Sequence, residues 1–280
     1  MNEMKEFWSL NEGTFYCLYD NKRTAAFRKA IFNTIKKGDV VVEMGAGTGI
    51  LSMFAADAGA SKVYAVELDR ENVDTLLQTL DENGYSEKVR VLMGDATKIR
   101  VPEKVDAIIC EMIATGLIEE LQIPAMNNAL KYAKKNVNVI LQRYDIFVDL
   151  VNNKEDFYNR RFKVIRYEFP DKTSLRSKPL SDKTLLKKID FRKTTKNAYI
   201  KRRMRIMIKK SGQLNGIRIS SNSIFSDASV LDHSLSYSFP IILPIETTAV
   251  RKGDEFRVTI SYSMCEGPHR LKYSISRQSC

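Results

Sequence analysis

The residues with the clearest capacity for chemistry stand where apolar runs end. In Asp39-Val-Val-Val-Glu-Met-Gly-Ala-Gly-Thr-Gly-Ile50 an apolar stretch closes on Glu43 and then on Gly45, Gly47 and Gly49. That is how a buried parallel strand opens through a tight turn into a helix whose free N–H groups face a ligand. A dinucleotide site, Gly-x-Gly-x-x-Gly, would need glycine where Ile50 stands, so a pyrophosphate cradle is disfavoured. Glu43 would repel phosphate and suits a ligand carrying an ammonium and a sulfonium, as S-adenosyl-L-methionine does. A second acid, Glu67, closes Lys62-Val-Tyr-Ala-Val-Glu67, at the interval after the loop that serves to hold ribose hydroxyls. A third run, Val89 to Met93, ends in Gly94-Asp95-Ala96, where Asp95 with Ala96 beside it would meet an adenine amine. Together these residues predict an S-adenosyl-L-methionine site, with a nicotinamide cofactor as the weaker reading.

The elements that must carry them follow from periodicity. Ala26, Phe27, Ala30, Ile31, Thr34 and Ile35 recur at helical spacing between Arg23 and Lys37, ahead of the first strand. Strand and helix then alternate: the glycine-loop helix, a strand at Lys62 to Glu67, a helix from Glu71 to Glu82, a strand at Val89 to Met93 and a fourth at Val105 to Cys110. This is an α/β pattern, a doubly wound parallel sheet. The sequence predicts a helix continuing from Ala125 to Lys135 and a strand near Val137 to Leu141. Beyond that, Tyr144 to Val151, Arg203 to Lys209, Phe256 to Tyr262 and Leu271 to Ile275 alternate with period two, the last two flanking a turn at Cys265-Glu-Gly-Pro-His. A boundary near residue 145 divides a Rossmann-like class I methyltransferase domain, 1–145, from a β-rich, barrel-like substrate or docking domain, 146–280. The aromatics Phe7, Trp8, Phe15, Tyr16 and Tyr19 precede the first helix and suit a lid.

The chain has 280 residues, 44% of them hydrophobic, and no low-complexity tract or run long enough to span a membrane. Its start lacks the layout of a signal peptide, which predicts a cytoplasmic protein. The four cysteines and two histidines are scattered, so neither disulfides nor a metal site is expected. The net charge of +11 is uneven: residues 1–150 carry 18 basic and 22 acidic side chains, residues 151–280 carry 27 and 12. Lys183 to Lys210 alone holds twelve basic residues and one acid, Asp190, a surface suited either to solvent or to phosphate.

The glycine loop, its continuation Ile-Leu-Ser-Met-Phe-Ala-Ala and Val-Tyr-Ala-Val-Glu67 resemble the cofactor motifs of the protein arginine methyltransferases. Asp20-Asn-Lys-Arg23-Thr24 is similar to that family's Asp-x-x-Arg-Thr stretch, and the resemblance implies that Arg23 binds the cofactor carboxylate. Glu111 and Glu120, just after the fourth strand, match the two glutamates that clamp the substrate guanidinium. Two carboxylates could grip a delocalised guanidinium through charge-assisted hydrogen bonds and fix its direction of attack. Their alternative role is local, Glu111 ending a strand and Glu119 and Glu120 favouring a helix start. Met112 stands where the family has Trp, Cys17 where it has Met, and Asp232-His233 is the only candidate for the family's Thr-His-Trp loop, whose histidine would pair with Asp20. The resemblance implies N-methylation of a protein arginine and leaves a homodimer open. An RNA or ribonucleoprotein methyltransferase docking through Lys183 to Lys210 is the alternative, and a catalytically silent binding module is a rival of a different class.

Overall fold

The computed structural model describes residues 11–169 and 176–278, so Phe7 and Trp8 lie outside the described residues. Helices α1 (Asn11–Tyr19) and α2 (Asn21–Thr34) lead into β1 (Val40–Met44). Asp20 caps α2 by accepting from the Arg23 backbone N–H at 3.1 Å. The alternation predicted from the sequence follows: α3 (Ile50–Asp57), β2 (Lys62–Glu67), α4 (Arg70–Glu82), β3 (Val89–Met93) and β4 (Val105–Cys110). These strands form a parallel sheet in the order β3-β2-β1-β4-β5, with β5 at Ala133–Val139. Burial on both faces explains their unbroken apolar runs: Val41, Val42, Val63, Val66, Ile108 and Ile109 are inaccessible to solvent. Strand order reverses between β1 and β4, which opens a crevice above their carboxyl ends, where Glu43, Glu67, Asp95 and Glu111 emerge.

One expected element is corrected. The helix predicted over Ala125 to Lys135 is α5 (Gln122–Ala129), closed by a short turn at Leu130–Tyr132, and Ala133 to Lys135 already belong to β5. Pairing to the free edge of β4 outweighs local helix propensity there, and Lys134 Nζ reaches Asp106 at 2.7 Å on the neighbouring strand.

After Ile140 the chain enters β6 (Leu141–Asn152), and sheet membership changes at this point, so the expected division near 145 falls inside a continuous strand. The rest is antiparallel: β6 lies between β7 (Thr184–Asp190) and β8 (Gly212–Phe225), and β8 pairs with β9 (Ile241–Val250). A second sheet joins β10 (Tyr199–Met207), β11 (Glu255–Ser263) and β12 (Lys272–Arg277). Their inward residues form a barrel-like layer that shares one core with the parallel sheet. Helix α2 ties the two units together: Phe27 meets Phe225 edge-on at 4.9 Å, and Thr34 shares a 2.6 Å hydroxyl hydrogen bond with Ser226.

Candidate active site

The glycine loop has the backbone that the sequence predicts. Gly45, Gly47 and Gly49 have φ of 78°, 52° and 79°, left-handed values that side chains resist. Space is closed to them as well: a Cβ at Gly49 would run into Leu76, and one at Gly47 would sit 3.0 Å from Thr14 of α1, which lies over the loop. Gly49 precedes α3 without a side-chain cap, leaving that helix's first N–H groups directed at the crevice. Glu67 is locked beside the loop. Its Oε2 accepts from Gly47 N at 2.8 Å, and its Oε1 from Leu68 N and Asp69 N at 2.8 and 3.0 Å.

Glu43 is buried at the end of β1 with Ser52 as its hydrogen-bond donor, and among the described residues no cation pairs with it. Loss of solvent pushes its carboxyl up to about 8, which the Ser52 hydrogen bond and the charge of Arg23 only partly offset. A buried acid beside three glycines that a Cβ would obstruct fits the cationic aminoacyl end of S-adenosylmethionine, and it does not fit a pyrophosphate. Asp95 accepts from Thr97 N at 2.9 Å and Thr97 Oγ1 at 2.7 Å; burial works against its charge, but these bonds hold it below the usual carboxylate value. The Ala96 carbonyl accepts from Asn128 Nδ2 at 3.0 Å, so Asp95 and Ala96 are fixed at the mouth of β3 by neighbours from two directions.

A second cluster gathers around Arg23. Its Nε donates to Glu111 Oε2 at 2.9 Å, Nη2 donates to the same oxygen, and Nη1 donates to the Cys17 carbonyl at 3.2 Å. Burial disfavours its charge, but Glu111 outweighs that and holds Arg23 above the normal arginine value. Glu120 returns to the same place from the far end of the loop. Desolvation raises its carboxyl to about 8, with the charges of Glu111 and Glu119 adding to the effect. Glu119 instead accepts from Tyr167 Oη at 2.7 Å, in keeping with a structural role.

The loop between these glutamates is held by the β-rich unit. Gly116 and Leu117 have consecutive positive φ of 66° and 55°, an unfavourable backbone for leucine. Tyr262 Oη donates to the Gly116 carbonyl at 2.8 Å, Cys265 N to that of Leu117 at 2.7 Å, and Gly267 N to that of Ile118 at 2.9 Å. Gln122 closes the base of the loop, accepting from Met112 N at 2.8 Å and donating to the Cys110 carbonyl at 3.1 Å. Sequence reasoning missed the supports from Tyr262, Cys265 and Gly267, because each lies far along the chain from the loop it holds, and missed Gln122 because its role depends on how the loop folds back.

The pairing of His233 with Asp20, which the resemblance left open, is not formed. Asp20 Oδ2 accepts from Ser234 Oγ at 2.6 Å, Ser236 N at 2.8 Å and Ser236 Oγ at 3.0 Å, while His233 Nδ1 lies 3.4 Å from Asp232. The signal was the serine-rich stretch Ser234-Leu-Ser-Tyr-Ser238, whose short hydroxyls reach a buried carboxylate directly. Among the described residues no group of side chains could hold a metal, and no helix is long and apolar enough to cross a membrane.

Comparison with known proteins agrees with this geometry. Residues 21–142 match the family model described as ribosomal protein L11 methyltransferase (PrmA). An uncharacterised protein of Methanothermobacter thermautotrophicus is 30% identical over 258 residues, covering 92% of this chain and 95% of its own. Protein arginine N-methyltransferase 6 of Xenopus laevis is 34% identical over 149 residues, 50% of this chain; the match spans only 43% of that relative's length. In three dimensions the chain is similar to a solved structure titled Trypanosoma brucei PRMT1 enzyme-prozyme heterotetrameric complex with AdoHcy, with a TM-score of 0.75, 17% identity, and coverage of 94% and 96% of the two chains. At that identity the likeness shows the two-part fold.

Proposed function

We propose that this chain, which belongs to the arginine-methyltransferase-like family of class I S-adenosylmethionine-dependent methyltransferases, N-methylates arginine side chains of a protein. The observation that carries the reading is the guanidinium already seated on Glu111: two N–H groups of Arg23 donate to one of its oxygens. A carboxylate that holds one guanidinium in this crevice has the chemistry to hold another, and Glu120 supplies the second arm.

The residues divide the work as follows. Gly45, Gly47 and Gly49 let the backbone approach the cofactor, Glu67 engages its ribose, Asp95 and Ala96 its adenine, and Glu43 lies opposite its ammonium. Arg23 has five N–H donors and uses three, which leaves two for the cofactor carboxylate while Glu111 stays engaged. When bound, S-adenosylmethionine supplies an electrophilic methyl group. Glu111 and Glu120 orient the acceptor guanidinium and draw positive charge toward the nitrogens that do not attack. Glu120, with its raised proton affinity, takes the proton that the methylated nitrogen sheds.

RNA as the methyl acceptor has less support, since the matched family model and the Xenopus laevis relative carry protein acceptors in their descriptions. The cytoplasm suits the three described cysteines, which are all free. A homodimer is also proposed, because the segment after β6 exposes Tyr158, Phe162, Val164 and Ile165 together. The function is tested with labelled cofactor and paired peptides that differ only in arginine or lysine at the acceptor position. Label is expected in the arginine peptides alone; equal labelling of both, or of neither while another extract component is labelled, would overturn the reading.

A further inference from the structure

The twelve-cation run from Lys183 to Lys210 is not one surface in the fold. Its first part lies on β7, Arg192 pairs with Asp190, and Lys209 lies 3.5 Å from Asp182. What remains is concentrated on the three-stranded sheet. Along β10, Ile200, Met204 and Ile206 are buried while Lys201, Arg203 and Arg205 are exposed, so the cations share the outer face.

Register extends that face across the sheet, because residues directly opposite in an antiparallel pair lie on the same side. Arg205 is opposite Arg257, Arg203 opposite Thr259 and Lys201 opposite Ser261. On the next strand Ser276, Ser274 and Lys272 continue the same three rows. The result is a plane of five cations interleaved with four hydroxyl residues, with Glu255 as an acid at its end, opposite Met207. Arg205 and Arg257 facing each other is unfavourable on its own. Among the described residues no carboxylate pairs with Lys201, Arg203, Arg205, Arg257 or Lys272.

From this arrangement we infer that the outer face of the β10-β11-β12 sheet binds single-stranded RNA. Alternate cations along a strand stand about 6.7 Å apart, a repeat that an extended polynucleotide backbone can follow with successive phosphates. The serine and threonine hydroxyls between them can both donate and accept, which suits a ribose 2′-hydroxyl. Tyr199, 47% exposed at one end of the same face, offers a ring on which a base can stack. An extended acidic peptide matches the spacing but has no 2′-hydroxyl to meet the serine and threonine rows and no base to stack on Tyr199, and a bilayer would favour exposed apolar side chains beside the cations, where this sheet has hydroxyls.

The inference is independent of the methyl acceptor, so it is tested by binding alone. Anisotropy of a labelled oligouridine of about 20 nucleotides, titrated with the full chain, should show affinity falling with salt at a log–log slope of about −2 to −4, about −0.7 for each phosphate neutralised. The variant R203Q/R205Q/R257Q should lose at least about tenfold in affinity at low salt and flatten the slope by about two. Lys88→Gln with Arg90→Gln, on the methyltransferase half, should leave binding intact, and the triple variant should still methylate a free peptide at the normal rate. The oligodeoxyuridine should bind more weakly than the RNA. Absence of salt-dependent RNA binding, equal binding by the triple variant, equal affinity for the DNA, or a preference for phosphatidylserine vesicles would each overturn the inference.

Discussion

Replacing Glu67 by Ala should weaken S-adenosylmethionine binding about 10- to 150-fold, the equivalent of about 1.5 to 3 kcal/mol for charged hydrogen bonds, as read by calorimetry. Glu120→Gln should keep cofactor affinity and lose turnover by about 3 kcal/mol or more in transition-state stabilisation. In the wild type, kcat/KM should rise with pH through about 8 as Glu120 ionises, and in Glu120→Gln this rise should disappear from the pH profile. Glu43 makes a separate prediction for stability. Its folded carboxyl is raised from 4.5 to about 8, so between those values the unfolded chain releases a proton that the folded chain retains. Its stabilising contribution is therefore complete at low pH and is lost as pH rises through about 8. Without cofactor, Tm should fall across that window, less steeply in Glu43→Gln. Glu43 and Glu67 were legible in the sequence because each ends an apolar run, and Glu120 through its place in the family's glutamate pair; the serines that hold Asp20 form a visible polar stretch, but nothing in the sequence says which distant residue they meet.

At the scale of elements, strands defined by burial on both faces were read to the residue, as with Lys62–Glu67 and Val105–Cys110. The end of α5 was misread because the edge of β4 recruits Ala133 to Lys135 by pairing, which composition does not encode. The loop from Glu111 to Glu120 was recognised by its match to the family's glutamate spacing, and its support by β11 was invisible. Tyr262→Phe removes the donor to the buried Gly116 carbonyl, where a strained Gly-Leu pair must be held. It should cost about 1 to 3 kcal/mol in denaturant unfolding. It should also reduce kcat with little change in cofactor affinity, since the glycine loop lies on other strands. A normal kcat in that variant would show that the loop keeps its shape unaided.

Over the whole molecule, a parallel sheet supplies the cofactor crevice, and an antiparallel unit holds the Glu111–Glu120 loop and carries the positive charge. The second unit was expected to be β-rich, but the division of its basic run between surfaces depends on strand register that periodicity cannot fix. Its interior also holds an ion pair, Arg218 Nη2 to Asp149 Oδ2 at 2.7 Å, with Asp149 fully buried. Asp149→Ala would leave that guanidinium only Glu168 at 3.5 Å and Ser177 at 3.3 Å as partners, and should destabilise the protein by about 3 kcal/mol. The central claim is that the crevice between the two units methylates arginine, and it is tested most directly by identifying the product. Protein from a cell extract labelled by the enzyme with methyl-labelled S-adenosylmethionine is hydrolysed to amino acids, in parallel with a reaction run by the double variant E111Q/E120Q. The account predicts radioactive methylarginine from the wild type and none from the variant; label in methyllysine or in a nuclease-sensitive fraction, or methylarginine at equal yield from both proteins, would contradict it.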